Sequence, residues 1–111
     1  MNPTANLDAR IVLTTVGSEA DAIAFAKTLV DERLAACVNV LPPMISIYRW
    51  KGSVEQDTEH QIVIKTTADR LAALEARLRQ LHPYELPEFL VVDPASGGSA
   101  YLAWVKESVA P

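Results

Sequence analysis

The sequence predicts an α+β domain: an antiparallel sheet with both main helices on one face, a long β-hairpin arm and a short C-terminal helix. Three observations support this class. Runs of β-branched residues alternate with apolar stripes at helical spacing, a long extended stretch turns back at Gly52-Ser53, and a short amphipathic segment ends the chain. At 111 residues we expect one domain over residues 9–111, preceded by a flexible N-terminus at residues 1–8.

A βαβ unit is predicted near the N-terminus. Residues 10–16 are β-branched and apolar on both faces in the middle, which is typical of a central strand covered on both sides. Ser18 is a good N-cap for a helix that runs to about residue 33, because acidic residues follow in the first turn and apolar residues recur at helical spacing. Residues 35–41 predict the second strand, and we expect Pro42-Pro43 to end it.

The long hairpin arm is predicted from residues 44–51 and 54–65, with a possible bulge at Asp57-Thr58. Its aromatic residues and its isoleucines are expected on opposite faces, with Tyr48 and Trp50 on one and Ile45 and Ile47 on the other. About 13 residues at 3.3 Å each span roughly 40 Å, which is long for so small a domain. The arm must therefore bend sharply or extend beyond the body.

A second αβ unit and a tail helix complete the predicted order. Thr66 or Thr67 is expected to cap a helix that has a leucine stripe and ends at Pro83, and residues 88–93 predict a short buried strand. Ser99 is expected to cap the last helix. The predicted packing side of that helix consists of Tyr101, Leu102, Trp104 and Val105. This order is the split βαβ, ferredoxin-like plan.

The predicted strands are apolar on both faces at residues 11–13 and 62–64, although both main helices lie on one side. Leaving such side chains in water forgoes about 1.5–3 kcal/mol each. The tail helix can cover part of this face, and self-association can cover the rest, since large exposed apolar patches are rare on monomers. We expect a closed homo-oligomer with the arm as a contact device. The alternative is a monomer in which the tail helix suffices.

Composition limits the possible partners and compartments. A net charge of −4 and a pI near 5.0 argue against nucleic-acid binding, which needs clustered Lys and Arg. No apolar run approaches the roughly 20 residues of a membrane span. The single cysteine, Cys37, cannot form an internal disulfide, and the first residues do not resemble a signal peptide. We therefore expect a cytoplasmic location.

Four motifs resemble the CutA, or divalent-cation-tolerance, family. In chain order they are ERLAACVN at residues 32–39, YRWKG at 48–52, LHPYELPE at 81–88 and YLAW at 101–104. The resemblance covers about residues 10–109. It implies a ferredoxin-like subunit similar to PII signalling proteins, a homotrimer assembled through long strands, and a link to copper and other divalent metals.

Two features depart from the family pattern. Some members carry extra cysteines associated with copper, whereas this chain has one, so a thiolate-rich copper centre within one subunit is excluded. Asp93 stands where family members usually have an apolar strand end.

The candidate metal ligands are one thiol, one imidazole and two carboxylates: Cys37, His82, Glu85 and Glu88. Cys37 suits copper as a soft ligand, but a small buried hydrophobic role is the alternative. His82, Glu85 and Glu88 lie in a loop stiffened by two prolines, and they match no established metal motif. Their alternative roles are a favourable helix end for His82 and ordinary polar partners for the glutamates. His60 with Glu59 is a poorer candidate, because an exposed strand histidine is usually only solvated.

A second set of candidates is expected to line an intersubunit cleft. It combines aromatic, basic and acidic side chains: Arg33, Tyr48, Trp50, Lys51, Glu59, Lys65, Tyr84, Tyr101 and Trp104. Aromatic residues are enriched both at subunit interfaces and in ligand pockets. If Trp50 of one copy meets Tyr84 of the next, the basic residues become possible anion contacts. Burial in an interface alone is the simpler alternative.

Together with these observations, the family resemblance implies a homotrimeric divalent-cation-tolerance protein that binds a divalent metal, copper foremost and weakly held, or a small ligand. The alternative is a PII-like sensor or scaffold that acts through protein contacts. No organic cofactor is implied. A base-and-orienter pair of His82 and Glu85 is the only catalytic arrangement considered, and we expect no enzyme because no nucleophile or cofactor motif accompanies it.

Overall fold

The computed structural model describes residues 7–111, so most of the expected flexible N-terminus lies outside the described residues. The elements, in chain order, are β1 (Ala9–Val16), α1 (Glu19–Asp31), β2 (Cys37–Trp50), β3 (Ser53–Thr67), α2 (Leu71–Leu81), β4 (Leu90–Val92) and α3 (Ser99–Ser108). The strands form one antiparallel sheet in the order β2-β3-β1-β4. This confirms the predicted split βαβ plan. Within this part of the chain no helix is long and apolar enough to cross a membrane.

The main core lies between one face of the sheet and the helices α1 and α2. Val12, Ile62 and Ile64 point from β1 and β3 into this core and have no exposed surface. They meet Leu29 of α1 and a leucine stripe of α2, as the helical spacing predicts. The Ser18 side chain accepts a hydrogen bond from the Asp21 backbone N–H, which confirms the predicted N-cap.

The opposite face of the sheet, called here the second face, is incompletely covered. It carries Ile11, Leu13, Val63, Leu90 and Val92, which lie side by side in the register of β1, β3 and β4. The first three are half-buried and the last two are exposed. Helix α3 contacts β3 and β1, but its buried residues form a separate small cluster with Ala36. The tail helix therefore leaves much of the second face open in a single chain.

The β2–β3 hairpin extends beyond the body of the domain. The described chain therefore measures 49 Å along its longest axis and 28 and 24 Å along the other two. We call residues 44–59 the arm. Two predictions about it were wrong. β2 continues through Pro42-Pro43, and the bulge lies there, between Val40 and Pro43, because Asp57-Thr58 pair regularly with β2. Proline is tolerated at this place because β2 is an edge strand, where a missing N–H breaks no ladder on the open side.

The C-terminal third differs from the sequence prediction in three details. β4 has three residues and is exposed rather than buried, because it is an edge strand outside both clusters of buried side chains. Gly98, not Ser99, is the N-cap of α3. Tyr101 and Trp104 do not pack inward, since they are 49% and 45% exposed and contact each other instead. Helix α2 begins after a short 3₁₀ turn whose N-cap position is Thr67, one of the two predicted caps, but the Thr67 side chain makes no capping hydrogen bond.

Both ends of the domain are fixed by ion pairs and hydrogen bonds. The Arg10 guanidinium pairs with Asp93 at 3.0 Å, so this departure from the family pattern has a structural partner. Asp8 accepts a hydrogen bond at its carbonyl from the Ala68 N–H and pairs with Lys106 at 3.3 Å. The chain is therefore held to the sheet from residue 7 onward.

Candidate functional site

A cleft of about 780 Å³ lies between the arm and the loop that follows α2. The arm contributes one wall: Tyr48, Arg49, Trp50, Asp57, Thr58 and Glu59. The other wall consists of residues 84–88, called here the 84–88 loop, and Thr15 and Gly17 lie at the end of β1 between the two walls. Both walls belong to one chain, and a contact of Trp50 with Tyr84 of a neighbouring copy stays a prediction. We call this space the arm cleft.

The alternation of side chains along the hairpin gives the arm two different faces. Tyr48 and Asp57 share the face toward the cleft, and the Tyr48 hydroxyl donates a short hydrogen bond to Asp57. This bond raises the pKa of Tyr48 to about 12, because ionisation would place a second negative charge beside the carboxylate. Ile45 and Ile47 lie on the other face, as predicted, and are 65% and 68% exposed.

The 84–88 loop is tied to the arm by Tyr84. Its hydroxyl donates a hydrogen bond to Glu59 Oε2 at 2.8 Å, and Glu59 is only 8% exposed. Burial, together with this bond, raises the pKa of Tyr84 far above its usual range. Further along the loop, Gln61 of β3 donates to Glu88 at 3.2 Å. Two β3 side chains thus fix the position of the loop over the sheet.

His82 anchors the start of the loop and faces inward. Its Nε2 lies 2.7 Å from the Thr15 carbonyl oxygen and its Nδ1 lies 3.1 Å from the Tyr84 backbone nitrogen. The neutral ring with hydrogen on Nε2 satisfies both contacts, donating from Nε2 and accepting at Nδ1. Burial lowers the pKa of His82 and so favours this neutral form. Both ring nitrogens are therefore engaged, and neither is free for a metal or a proton transfer.

His60 is buried rather than exposed and solvated as expected. Its Nδ1 lies 2.8 Å from the carbonyl oxygen of Leu41, the residue at the β2 bulge. A bulge leaves a backbone group outside the regular ladder, and His60 satisfies it. This histidine therefore has a structural partner.

The charged residues at the mouth of the cleft are arranged around Trp50. The Lys51 ammonium lies 5.5 Å from the centre of the Trp50 ring and 3.8 Å from a carboxylate oxygen of Glu85. Arg49 donates a long hydrogen bond of 3.4 Å to the Gly52 carbonyl. Along the described chain, residues 7–111, Arg49 forms no ion pair.

The remaining predicted site residues lie away from the cleft. Cys37 is paired with Lys65, and Lys65 with Ile11, on the second face. Ile11 and Thr15 are four residues apart on β1, about 13 Å, so Cys37 is far from His82. The thiol donates weakly to Asn39 at 3.9 Å. Arg33, Tyr101 and Trp104 are likewise absent from the cleft lining, as is Lys65.

The predicted metal ligands do not form one centre in the single chain. Glu85 and Glu88 line the cleft, His82 lies behind its wall, and Cys37 is on another part of the sheet. Among residues 7–111, no group of three or more His, Cys, Asp or Glu side chains is placed to hold a metal ion.

The sequence prediction missed one acidic residue of the cleft, Asp57. A regular hairpin places it on the face of Tyr48, but the bulge predicted at Asp57-Thr58 disrupted that alternation. The apolar lining by Leu86 and Pro87 was also missed, although both lie in the motif that the sequence singled out.

Comparisons with known proteins agree on one family. The family described as CutA1 divalent ion tolerance protein matches residues 10–108. The divalent-cation tolerance protein CutA of Thermus thermophilus is 47% identical over 98 residues, covering 88% of this chain and 95% of that protein. Its solved structure superposes with a TM-score of 0.89, covering 92% of this chain and 99% of the other, at 45% identity.

Two further structures extend the similarity to more distant organisms. CutA from Xylella fastidiosa has a TM-score of 0.90 at 40% identity and covers 93% of this chain and 99% of its own. A protein from Archaeoglobus fulgidus, described as periplasmic divalent cation tolerance protein CutA, has a TM-score of 0.88 at 29% identity, with coverages of 92% and 99%. Sequence and fold therefore point to the same relatives.

Proposed function

The chain belongs to the CutA1 divalent ion tolerance protein family, and on that premise we propose that it acts in divalent-cation tolerance as a homotrimer that binds a small ligand in the arm cleft. The observation that carries this proposal is the convergence of three aromatic rings and four carboxylates on one cleft. Ligand sites are typically concave spaces of about 300–1,000 Å³ with a few placed polar groups, and the arm cleft has this size and character.

The proposed homotrimer rests on two exposed apolar surfaces. One is the far side of the arm, where Ile45, Ile47 and Val54 are each about two-thirds exposed. The other is the second face with its exposed edge strand β4. In a single chain these side chains remain in water and contribute no burial energy. Contact with other copies would bury them, and each Å² of buried apolar surface would stabilise the assembly by about 25 cal/mol. The cleft side of the arm faces the other way and keeps its own lining.

A divalent metal is the second candidate occupant of the cleft. Asp57, Glu59, Glu85 and Glu88 supply oxygen donors, which suit hard cations better than copper. Cys37 is remote from them, and both nitrogens of His82 are engaged. We therefore propose that copper or zinc binds only weakly here, through carboxylates. Calorimetry with Cu(II) should then show weakened binding in the double variant Glu85→Gln/Glu88→Gln and unchanged binding in Cys37→Ser.

Three other predictions from the sequence remain proposals. A PII-like sensor or scaffold would use the same apolar surfaces toward a different protein. The absence of enzyme activity stays an expectation, supported by the fact that Glu85 pairs with Lys51 and not with His82. The cytoplasmic location also remains a proposal, supported by the single cysteine, and one relative is described as periplasmic.

A thermal-shift survey tests the ligand proposal. Compounds of graded charge, together with Cu(II) and Zn(II), are added to the wild type, to Trp50→Ala and to Trp104→Ala. Trp104 is the matched control, because it is the second tryptophan and lies outside the cleft lining. A cleft ligand raises the melting temperature of the wild type and Trp104→Ala more than that of Trp50→Ala. If every stabilising compound acts equally on all three proteins, the cleft is not the ligand site.

A further inference from the structure

The arm cleft carries an excess of negative charge. Four carboxylates line it, against one lining arginine, Arg49, and one lysine at its mouth, Lys51, which pairs with Glu85. Arg49 reaches toward the hairpin turn and pairs with none of these acids. A cleft with this balance attracts cations and repels anions.

Glu59 is the most buried of the four acids. Only 8% of its surface is exposed, and its hydrogen-bond partner is the neutral hydroxyl of Tyr84. Among residues 7–111 no lysine, arginine or histidine pairs with it. Removing a carboxylate from water costs several kcal/mol unless an opposite charge accompanies it. A bound cation would supply the positive charge that Glu59 lacks among its neighbours in the described chain.

The mouth of the cleft already holds one ammonium group. Lys51 Nζ lies 5.5 Å from the centre of the Trp50 ring and 3.8 Å from Glu85. An ammonium beside an indole face and a carboxylate is the arrangement by which proteins recognise organic amines. The chain thus shows, with its own side chain, the contacts that a ligand amine would make deeper in the cleft.

We propose that the arm cleft binds a small organic amine, a molecule with an ammonium group on a short apolar or aromatic body. The ammonium pairs with Glu59 and Asp57, and the body lies against Trp50 and Leu86 of the two walls. This inference rests on the proposed function, because it names the ligand class of the same cleft. It also gives a role to the three aromatic rings of the lining, which a metal centre would not need.

Three probes of similar size and different charge test the assignment: 2-phenylethylammonium, 2-phenylethanol and phenylacetate. Binding is followed by the fluorescence of Trp50 in a Trp104→Phe background, where Trp50 is the sole tryptophan. We expect the ammonium probe to bind, the alcohol to bind at least about tenfold more weakly, and phenylacetate not to bind. Added salt should weaken the binding of the ammonium probe.

The variant Glu59→Gln isolates the charge. A glutamine oxygen still accepts the Tyr84 hydrogen bond, so the loop keeps its anchor while the negative charge is lost. Affinity for the ammonium probe should fall by at least about tenfold, whereas Glu75→Gln, an exposed acid on α2, should leave it unchanged. Circular dichroism of each variant checks that the fold is intact.

The outcomes separate the two proposals. If phenylacetate or the alcohol binds as tightly as the amine, or Glu59→Gln binds the amine normally, the amine assignment is wrong and the cleft remains a ligand site. If the amine does not bind but Cu(II) changes the Trp50 fluorescence, the amine assignment is again wrong. If none of the probes and neither Cu(II) nor Zn(II) changes the Trp50 fluorescence, the proposed function of the cleft fails as well.

Discussion

The Tyr84 hydroxyl donates a hydrogen bond to Glu59 Oε2 at 2.8 Å and so joins two segments that are 25 residues apart in the chain. Glu59 belongs to the arm and Tyr84 to the loop opposite it, so this contact helps to fix the width of the arm cleft, together with the Gln61–Glu88 and Lys51–Glu85 contacts. It also shields a buried carboxylate. The position of the Tyr84 hydroxyl also leaves little room at Gly17, because a Cβ atom at that residue would lie 3.1 Å from the hydroxyl oxygen.

Removing this hydroxyl should destabilise the protein. Tyr84→Phe leaves Glu59 buried without its donor, and we expect the free energy of unfolding to fall by about 1–2 kcal/mol in urea titrations at pH 7. Tyr101→Phe is the matched control, because Tyr101 is 49% exposed and lies outside the cleft lining. Equal stability of the two variants would show that the Tyr84–Glu59 contact does not hold the loop.

Two buried threonines should respond oppositely to the same substitution. Thr14 and Thr66 both have no exposed surface, but within residues 7–111 the Thr14 hydroxyl has no partner, whereas the Thr66 hydroxyl donates to the Leu34 carbonyl at 2.8 Å. Thr14→Val should raise the free energy of unfolding by about 1 kcal/mol, since valine has the same shape and no polar group to bury. Thr66→Val should lower it by a similar amount. Destabilisation by Thr14→Val would mean that its hydroxyl has a partner after all.

The tip of the arm depends on a tight turn. Trp50 pairs with Ser53, so Lys51 and Gly52 form a two-residue turn, and both have positive φ, 49° and 85°. Such a turn matches the twist of the strands but strains any residue other than Gly, Asn or Asp. Gly52→Ala should cost about 1 kcal/mol and Lys51→Asn should stabilise the tip by a few tenths. Amide hydrogen exchange of the arm measures both, and faster exchange in Lys51→Asn would contradict the assignment of the turn.

His82 should make stability depend on pH. Burial lowers its pKa in the folded state, so as the pH falls below about 6.5 the unfolded chain takes up the proton before the folded chain does. The contribution of His82 is therefore present above pH 6.5 and is lost as the pH falls toward the lower, folded-state pKa. The difference in unfolding free energy between wild type and His82→Gln should shrink from pH 7.5 to pH 5. A constant difference would show that His82 is not held neutral.

The sequence predicted the elements well and their exposure poorly. Apolar periodicity located β1, α1 and α2, because each packs one regular face against the main core. The arm lies outside that core and was located by its extended pattern and its turn at Gly52-Ser53. The same signal could not reveal that β2 lies at the sheet edge, which is why a strand through Pro42-Pro43 was not expected. Likewise, the apolar run of β4 reads as buried, although its side chains are exposed in the single chain.

The site was predicted as a set of residues but not as a geometry. The motif at residues 81–88 identified the loop, and the hairpin alternation identified the face of Tyr48 and Trp50. The direction of His82 could not be predicted, because it depends on the Thr15 carbonyl 67 residues away. The separation of Cys37 from His82 likewise follows from strand register, which local sequence does not encode.

Sedimentation equilibrium of dilute protein tests most directly whether other copies cover the arm and the second face. Three chains of 12.1 kDa give about 36 kDa, and we expect this mass for the wild type and for Val30→Asp, a control on α1. Ile47→Asp places a charge on the apolar side of the arm, which is 68% exposed in one chain, and should give monomers or aggregates. A folded wild-type species of 12 kDa that remains stable on dilution would contradict the proposed assembly.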